Sequence, residues 1–120
     1  MAAIVAFGRY VPERVLGNAE LAEMLQCDAD WILSATGIEE RRVARADETV
    51  VDLAVAAACG LAAKPGLIIV SSGSSERRFP GPAAQVAHRL GFDGVPAIDL
   101  PLASCGSLFG MALGAQLAAV

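Results

Sequence analysis

The stretch that decides the fold is AIDLPLASCGSLFGMALGAQLAAV, residues 97–120. AIDL predicts a short strand, the next four residues predict a tight turn, and the uncharged run predicts a helix that begins around Ser104. Ser104 and Cys105 therefore follow the carboxyl end of a strand, where open α/β sheets bind their ligands. Because the helix is apolar nearly all the way round, we expect it to be buried and the site to lie deep.

Two interpretations of Ser104 and Cys105 remain open from this pattern alone. The positive end of a helix and its free N–H groups stabilise negative charge, which favours the thiolate form of a cysteine. A serine in the same place gains less and needs a general base nearby. In the alternative, purely structural interpretation, the serine is an N-cap and the cysteine is a small buried residue.

Short strands and short helices alternate through the first half of the chain. We predict a strand at residues 2–12, a helix N-capped by Asn18, and a second helix that starts near Asp28 or Asp30 and stops before Gly37. IEERRVAR, residues 38–45, alternates too poorly for a buried strand, so an exposed strand or hairpin arm is expected.

The second half continues the alternation. Thr49 and Asp52 have the spacing of a capping box before an alanine-rich helix. GLIIVSS, residues 66–72, predicts a buried strand, and Pro82 and Gly91 bracket a further helix. This order predicts an α/β fold with a mostly parallel sheet.

Composition excludes several classes of protein. Of 120 residues, 55% are hydrophobic and 18% charged, with a net charge of −4, so nucleic-acid binding is not expected. Cys27, Cys59 and Cys105 have no pairable spacing, which predicts reduced thiols in a cytoplasmic protein without a disulfide framework or metal site. The chain shows no signal peptide, and its terminal apolar run is shorter than the ~20 residues of a membrane span.

Several stretches together resemble one known family. They include W-I-x-x-x-T-G-I at residues 31–38, F-P-x-x-A-x-Q at residues 79–85, and the strand-to-nucleophile turn at residues 96–107. In order and spacing the chain resembles the N-terminal half of the β-ketoacyl-acyl-carrier-protein synthase III family, of the thiolase fold. The resemblance implies that residues 1–120 form the first half of an αβαβα layered fold with a mostly parallel sheet and a buried nucleophile helix, and that the second half is absent from this chain.

The resemblance also implies a function. Members of that family are acyltransferases that take an acyl group from acyl-CoA onto an active-site cysteine and condense it with a malonyl-carrier protein, in fatty-acid or polyketide-type biosynthesis. A histidine and an asparagine of the second half assist, so this chain alone would lack a complete catalytic set. No permanently bound cofactor is implied. The implied partners are acyl-CoA, the phosphopantetheine of an acyl-carrier protein, and either a second copy in a homodimer or the missing half.

The family's D-x-x-x-x-C-x-G-F motif places the nucleophile at Ser104 here, because Ser104 is the fifth residue after Asp99 and Gly106 follows two residues later. Placing Cys105 there needs a slip of one residue. Acyl transfer to a serine would form an oxyester and would depend more on a base. Two alternatives stay open: a non-catalytic subunit or an acyltransferase that has lost condensation, and a hydrolase whose G-x-S-x-G elbow has Leu102 in place of the first glycine.

Trp31 resembles the tryptophan that stacks on the adenine of CoA in that family, and the alternative is an ordinary core tryptophan. The arginine that helps to hold the CoA nucleotide in that stretch is replaced by Ala35. This departure implies weaker or differently made CoA binding, or binding of a carrier protein's phosphopantetheine instead. Arg41, Arg42 and Arg45 are candidates for compensation, although such a run is usually a solvated face.

Phe79 resembles the phenylalanine that reaches across a dimer interface into the partner's acyl pocket; the alternative is an ordinary loop aromatic. His88, the one histidine, lies within a predicted helix away from the turn, so we expect a structural role for it. SSGSS, residues 71–75, follows a strand as an anion-binding loop would, but it lacks the lysine and the spacing of a P-loop.

Overall fold

The computed structural model of the chain describes residues 2–118, which form two compact units. Unit 1 contains the residues up to Tyr10 and those from Thr49 onward, and unit 2 is Val11–Glu48. The elements, in chain order, are β1 (Arg14–Gly17), α1 (Asn18–Leu25), α2 (Ala29–Thr36), β2 (Glu40–Val43), α3 (Val50–Ala58), β3 (Ile68–Ser71), α4 (Pro82–Arg89), β4 (Ala97–Leu100) and α5 (Gly106–Leu117).

Unit 2 is a two-stranded antiparallel ribbon with two helices. β1 pairs with β2 so that Arg14 lies opposite Val43, and α1 packs against α2 and β1. The predicted exposed strand at residues 38–45 is therefore confirmed as β2. Asp28 is the N-cap of α2, since its carboxylate accepts the N–H groups of Asp30 and Trp31 at 2.7 and 2.9 Å.

Unit 1 has three layers built on the parallel pair β3 and β4. Ile68 lies opposite Ala97, and α4 packs on both strands and on α3, while α5 packs on β3. Side chains alternate between the faces of a strand. Ile69 and Leu100 contact α5 at Gly110, whereas Asp99 points to the start of α4, so the two helices cover opposite faces of the pair.

The predicted capping box of α3 is present. The Thr49 hydroxyl accepts the Asp52 N–H at 3.2 Å, and the Asp52 carboxylate accepts the Thr49 N–H at 2.7 Å. The same carboxylate pairs with Arg89 of α4 at 2.5 Å, which ties α3 to α4. The hydrogen bonds from the Thr49 side chain and backbone, followed by the bond from Arg89, hold the pKa of Asp52 well below its usual range.

The buried residues of unit 1 lie mainly in α3 and α4, not in α5. Val51, Ala83, Val86 and Ala87 are buried, whereas Leu108 of α5 is 66% exposed, and other exposed apolar side chains of α5 are Phe109, Met111 and Leu117. No residue among 2–118 covers that face of α5, so the predicted burial of this helix would need elements outside the described chain. No described helix combines the length and the apolar character that crossing a membrane requires.

Two further predictions need correction. Residues 2–12 form no strand: an apolar sequence favours burial, but a strand also needs a hydrogen-bonded neighbour, and within the described chain β3 and β4 pair only with each other. Instead Gly8 lies against α3, where a side chain would overlap the Ala57 carbonyl. The β1–β2 ribbon is a separate antiparallel sheet, and the predicted parallel arrangement is found in the β3–β4 sheet.

Asn18 is not the N-cap of α1. Gly17 takes that position and makes no side-chain cap bond. The Asn18 amide donates to the Ile38 carbonyl at 2.8 Å and accepts from Arg41 at 2.8 Å. Partners from distant parts of unit 2 thus take the place of the local cap. The other predicted elements, including β3, α4 and β4, are confirmed.

Candidate functional site

The candidate site is the turn that joins β4 to α5. The Leu102 N–H donates to the Leu100 carbonyl at 2.7 Å, and the Gly106 N–H donates to the Ala103 carbonyl at 2.9 Å. α5 starts at Gly106, two residues later than predicted, with Cys105 as its N-cap. Ser104 and Cys105 thus lie at the junction between strand and helix, as the sequence predicts.

Close packing against β3 fixes where α5 begins. Gly106 is buried, and a β-carbon there would overlap the Ser71 hydroxyl and approach the Leu102 β-carbon to 3.2 Å. The Ser71 hydroxyl also lies 3.5 Å from the Leu102 carbonyl, to which it donates. Only a residue without a side chain allows this approach, so the glycine that follows the candidate nucleophiles has a packing function.

The side chains of Ser104 and Cys105 are not used by the fold. Both residues are exposed, and neither the hydroxyl nor the thiol forms a hydrogen bond with any of residues 2–118. Within residues 2–118, Ser104 is not an N-cap and Cys105 is not buried, so the described chain lends no support to the structural interpretation of either residue. Within residues 2–118 the site is exposed, and the depth predicted from the apolar helix would need covering elements outside the described chain. All three cysteines are unpaired and exposed.

The start of α5 carries unused hydrogen-bond donors. Within the described part of the chain, no acceptor reaches the backbone N–H groups of Ser107 and Leu108. No acidic residue lies in the first turn of α5. These donors and the positive end of the helix favour negative charge next to Ser104 and Cys105, which is the requirement of an acyl-transfer intermediate.

Trp31 lies on α2 in unit 2 and is 63% exposed. Within residues 2–118 the ring is therefore not part of a core, and the indole face is available to a ligand. Ala35 lies on the same helix.

The three arginines proposed to compensate for Ala35 all have protein partners. Arg41 donates to Asn18 at 2.8 Å, Arg42 donates to the Pro12 carbonyl at 3.2 Å, and Arg45 pairs with Asp47 at 3.3 Å. This favours their interpretation as a solvated structural face.

Phe79 lies in the loop between β3 and α4 and is 92% exposed, so its ring makes little contact with its own chain. His88 lies on α4, with its ring Nδ1 2.9 Å from the Asp93 carboxylate, and is largely exposed, in keeping with a structural role. Among the described residues, no group of three or more histidine, cysteine or acidic side chains is arranged to hold a metal ion.

Sequence reasoning missed two residues that position the site. Asp99 was considered only as the first residue of the nucleophile motif. In the structure its carboxylate accepts the Ala83 N–H at 2.7 Å and contacts Gly81, so this residue of β4 caps α4. Ser71 packs under Gly106. The sequence signal for these two residues was weak. Each is a polar residue at or near the carboxyl end of a strand, where polar residues are also common simply because they face solvent.

Comparison with known proteins gives a consistent result. No protein-family profile matches the chain. The chain is 40% identical to "Beta-ketoacyl-[acyl-carrier-protein] synthase III 1" of Vibrio parahaemolyticus, over 94% of this chain and 38% of that protein. The crystal structure of β-ketoacyl-[acyl carrier protein] synthase III from Thermus thermophilus is 37% identical with a TM-score of 0.87, over 97% of this chain and 38% of that one.

A third similar structure is the priming β-ketosynthase from the R1128 polyketide biosynthetic pathway, 31% identical with a TM-score of 0.85, over 92% of this chain and 35% of that one. The chain thus spans less than two fifths of the length of the curated relatives that it matches. The resemblance predicted from the sequence is thus confirmed: along almost its whole length the chain is similar, in sequence and in thiolase-type fold, to part of the β-ketoacyl-acyl-carrier-protein synthases III.

Proposed function

We propose that the protein is an acyltransferase of the β-ketoacyl-acyl-carrier-protein synthase III type, in fatty-acid or polyketide-type biosynthesis. It would take an acyl group from acyl-CoA or from an acyl-carrier protein onto Ser104, with Cys105 as the alternative acceptor, and condense it with a malonyl-carrier protein. The observation that carries the proposal is the β4–α5 turn. It presents two unbonded nucleophile-type side chains at an open helix start, in a chain 40% identical to such a synthase.

The chemistry follows from the geometry of this turn. The hydroxyl of Ser104, or the thiol of Cys105, attacks the thioester carbonyl, and the carbonyl oxygen takes the negative charge. Unpaired N–H groups at the start of α5, such as that of Ser107, are suited to stabilise this charge. Collapse of the intermediate breaks the carbon–sulfur bond, releases the CoA thiol with the nucleophile's proton, and leaves an acyl ester or thioester on the protein.

The test is detection of that adduct. The protein is incubated with a set of acyl-CoAs and acyl-carrier proteins, and the peptide that contains residues 104–105 is analysed by mass spectrometry. We expect an adduct that Ser104→Ala abolishes and Cys105→Ala retains. Treatment with neutral hydroxylamine distinguishes the two chemistries, since a thioester on Cys105 is cleaved far faster than an oxyester on Ser104.

Cys59→Ala is the matched control, because Cys59 is also exposed but lies just after α3, outside the β4–α5 turn. If loss of Cys105 rather than Ser104 abolishes the adduct, the acceptor assignment is reversed and the proposed function stands. If no donor acylates either residue, the protein is not an acyltransferase of this kind.

The proposal extends to binding partners. The exposed indole of Trp31 would stack on the adenine of CoA, and the exposed ring of Phe79 would enter the acyl pocket of a second copy in a homodimer. The acyl-carrier protein would deliver its substrates on phosphopantetheine, without a permanently bound cofactor. We place this activity in the cytoplasm, and we propose residues 1–120 as a half-domain that a second half of the thiolase fold completes.

A further inference from the structure

A cavity of about 710 Å³ lies in unit 1 at the carboxyl ends of β3 and β4, and Ser104 and Cys105 are not among the residues that line it. Leu100 and Pro101, the residues that lead into the turn, form part of its wall. Gly73 forms another part and lies against the turn, since a β-carbon on it would be 3.3 Å from the Ala103 β-carbon. The cavity therefore lies at the same carboxyl edge of β3 and β4 as Ser104, and its volume is in the range of small-molecule sites.

The loop side of this cavity carries excess positive charge. Arg77 and Arg78 line it, are exposed, and form no ion pair or hydrogen bond with any of residues 2–118. Its one lining carboxylate is Asp99, which is already bonded to the Ala83 N–H at 2.7 Å. Two guanidinium groups thus lie in one cavity with a single carboxylate, and that carboxylate has a backbone partner.

The remaining walls divide the cavity by polarity. Of the lining residues, Val70 and Leu100 of the strands are apolar, whereas the loop after β3 supplies Ser72 and Ser75 as well as the arginines. An apolar wall suits an acyl chain. A guanidinium pair suits a carboxylate or a phosphate, because its planar donors match the oxygens of these anions in pairs.

We propose that this cavity binds an anionic group of the thioester substrate, so that the preferred acyl donor carries a negative charge that Arg77 and Arg78 recognise. This inference rests on the proposed function. The anion has two possible sources: a carboxylate at the far end of the acyl chain, or the phosphate of the phosphopantetheine arm. Both groups are anions whose oxygens accept hydrogen bonds from guanidinium groups.

The first test compares donors that differ only in charge. Rates of adduct formation on residues 104–105 are measured with pentanoyl-CoA and with glutaryl-CoA, whose acyl chains have equal carbon number. Pentanoyl-pantetheine and pentanoyl-4′-phosphopantetheine form the second pair. We expect at least about a tenfold preference for the charged member of one pair, as the loss of a charge-assisted bond implies.

The preference should disappear in the double variant Arg77→Gln, Arg78→Gln through a lower rate for the charged member of the pair that responds. Both arginines are exposed, so the fold should not be affected, which circular dichroism checks. Arg9→Gln, at an exposed arginine outside the cavity, is the matched control. The pair that responds identifies the source of the anion. Equal rates within both pairs, or a preference that survives the double variant, overturn the inference.

A binding measurement separates this inference from the proposed function. Calorimetry with the unreactive amide analogues of the glutaryl and pentanoyl donors, in the pantetheine and the 4′-phosphopantetheine series, does not require acylation. If no thioester acylates the protein, the proposed function fails, and the calorimetry still decides the cavity. A tenfold weaker binding of the charged analogue by the double variant supports the anion site, and unchanged binding contradicts it.

Discussion

Replacement of Gly106 by alanine should destabilise the β4–α5 turn although alanine is the better helix former. The new β-carbon would occupy the position of the Ser71 hydroxyl oxygen and lie 3.2 Å from the Leu102 and Ser71 β-carbons. Relief requires rotation of Ser71 away from the Leu102 carbonyl, or a shift of α5 along β3. Both disturb the residues that flank Ser104.

The magnitude follows from two opposing effects. Overpacking of a closely packed position costs about 1–3 kcal/mol, and the intrinsic helix preference of alanine over glycine returns at most about 1 kcal/mol. We expect Gly106→Ala to lower the free energy of unfolding by about 1–2 kcal/mol. Gly110→Ala in the same helix is the matched control, because its β-carbon would lie at an ordinary 3.8 Å from Ile69 and Leu100 side-chain atoms. That variant should gain about 0.5–1 kcal/mol.

Urea denaturation measures both variants, and the rate of adduct formation on residues 104–105 measures the effect on the turn. Ser71→Ala should partly rescue Gly106→Ala, since it removes the overlapping oxygen, so the two substitutions should be non-additive. If Gly106→Ala and Gly110→Ala have the same effect on unfolding, Gly106 is not packed as described and the argument fails.

Three further predictions concern other parts of the molecule. Hydrogen bonds from Thr49 lower the pKa of Asp52 in the folded state. The ionised carboxylate therefore stabilises the fold above the unfolded-state pKa of about 3.9. This stabilisation is lost as the pH falls through the lower folded-state pKa. Asp52→Asn should be less stable than the native protein near neutral pH and should lose less stability on acidification. Thermal unfolding between neutral and strongly acidic pH measures both effects. If the variant loses as much stability on acidification as the native protein, the lowered pKa of Asp52 is contradicted. Asp99→Ala should cost about 1 kcal/mol through loss of the bond to the Ala83 N–H, whereas Asp99→Asn, which keeps an acceptor oxygen, should cost less; equal losses in urea denaturation would exclude a capping role. Trp31 is the single tryptophan, so CoA should quench the fluorescence of the protein while pantetheine, which lacks adenine, should not; equal responses would argue against stacking.

Local signals in the sequence were sufficient for most elements. The Thr49–Asp52 capping box, Asp28 as N-cap and Pro82 at a helix start act within one turn, and the structure confirms each of them. The prediction for residues 2–12 failed because composition reports a tendency to be buried, whereas a strand depends on a pairing partner elsewhere. Asn18 failed for a related reason, since its amide bonds to residues far away in sequence.

The candidate site likewise has features that the sequence predicts and features that it does not. The position of Ser104 and Cys105 at a strand–helix junction was predictable, because the strand, turn and helix signals are all local. The contact of Ser71 with Gly106 was not, because it joins the end of β3 to the start of α5 across 35 residues and has no periodic signal. The elements that would cover the apolar helix were also not predictable, since the helix sequence does not state what packs on it.

The conformation of the β4–α5 turn and its exposure therefore have separate physical origins. Ser71, Gly106 and the bonds of Leu102 fix the turn through contacts with β3, so its geometry exists within unit 1. Within the described chain, no residue covers the exposed face of α5 near Phe109. An element that covers this face would lower the local dielectric and strengthen the interaction of the helix start with an acyl-transfer oxyanion, without having to form the turn. Mutation should therefore separate the packing of the turn from the covering of the helix. Gly106→Ala should impair the packing of the turn. Substitution of Phe109 by a polar residue should instead affect the association of α5 with an element that covers it.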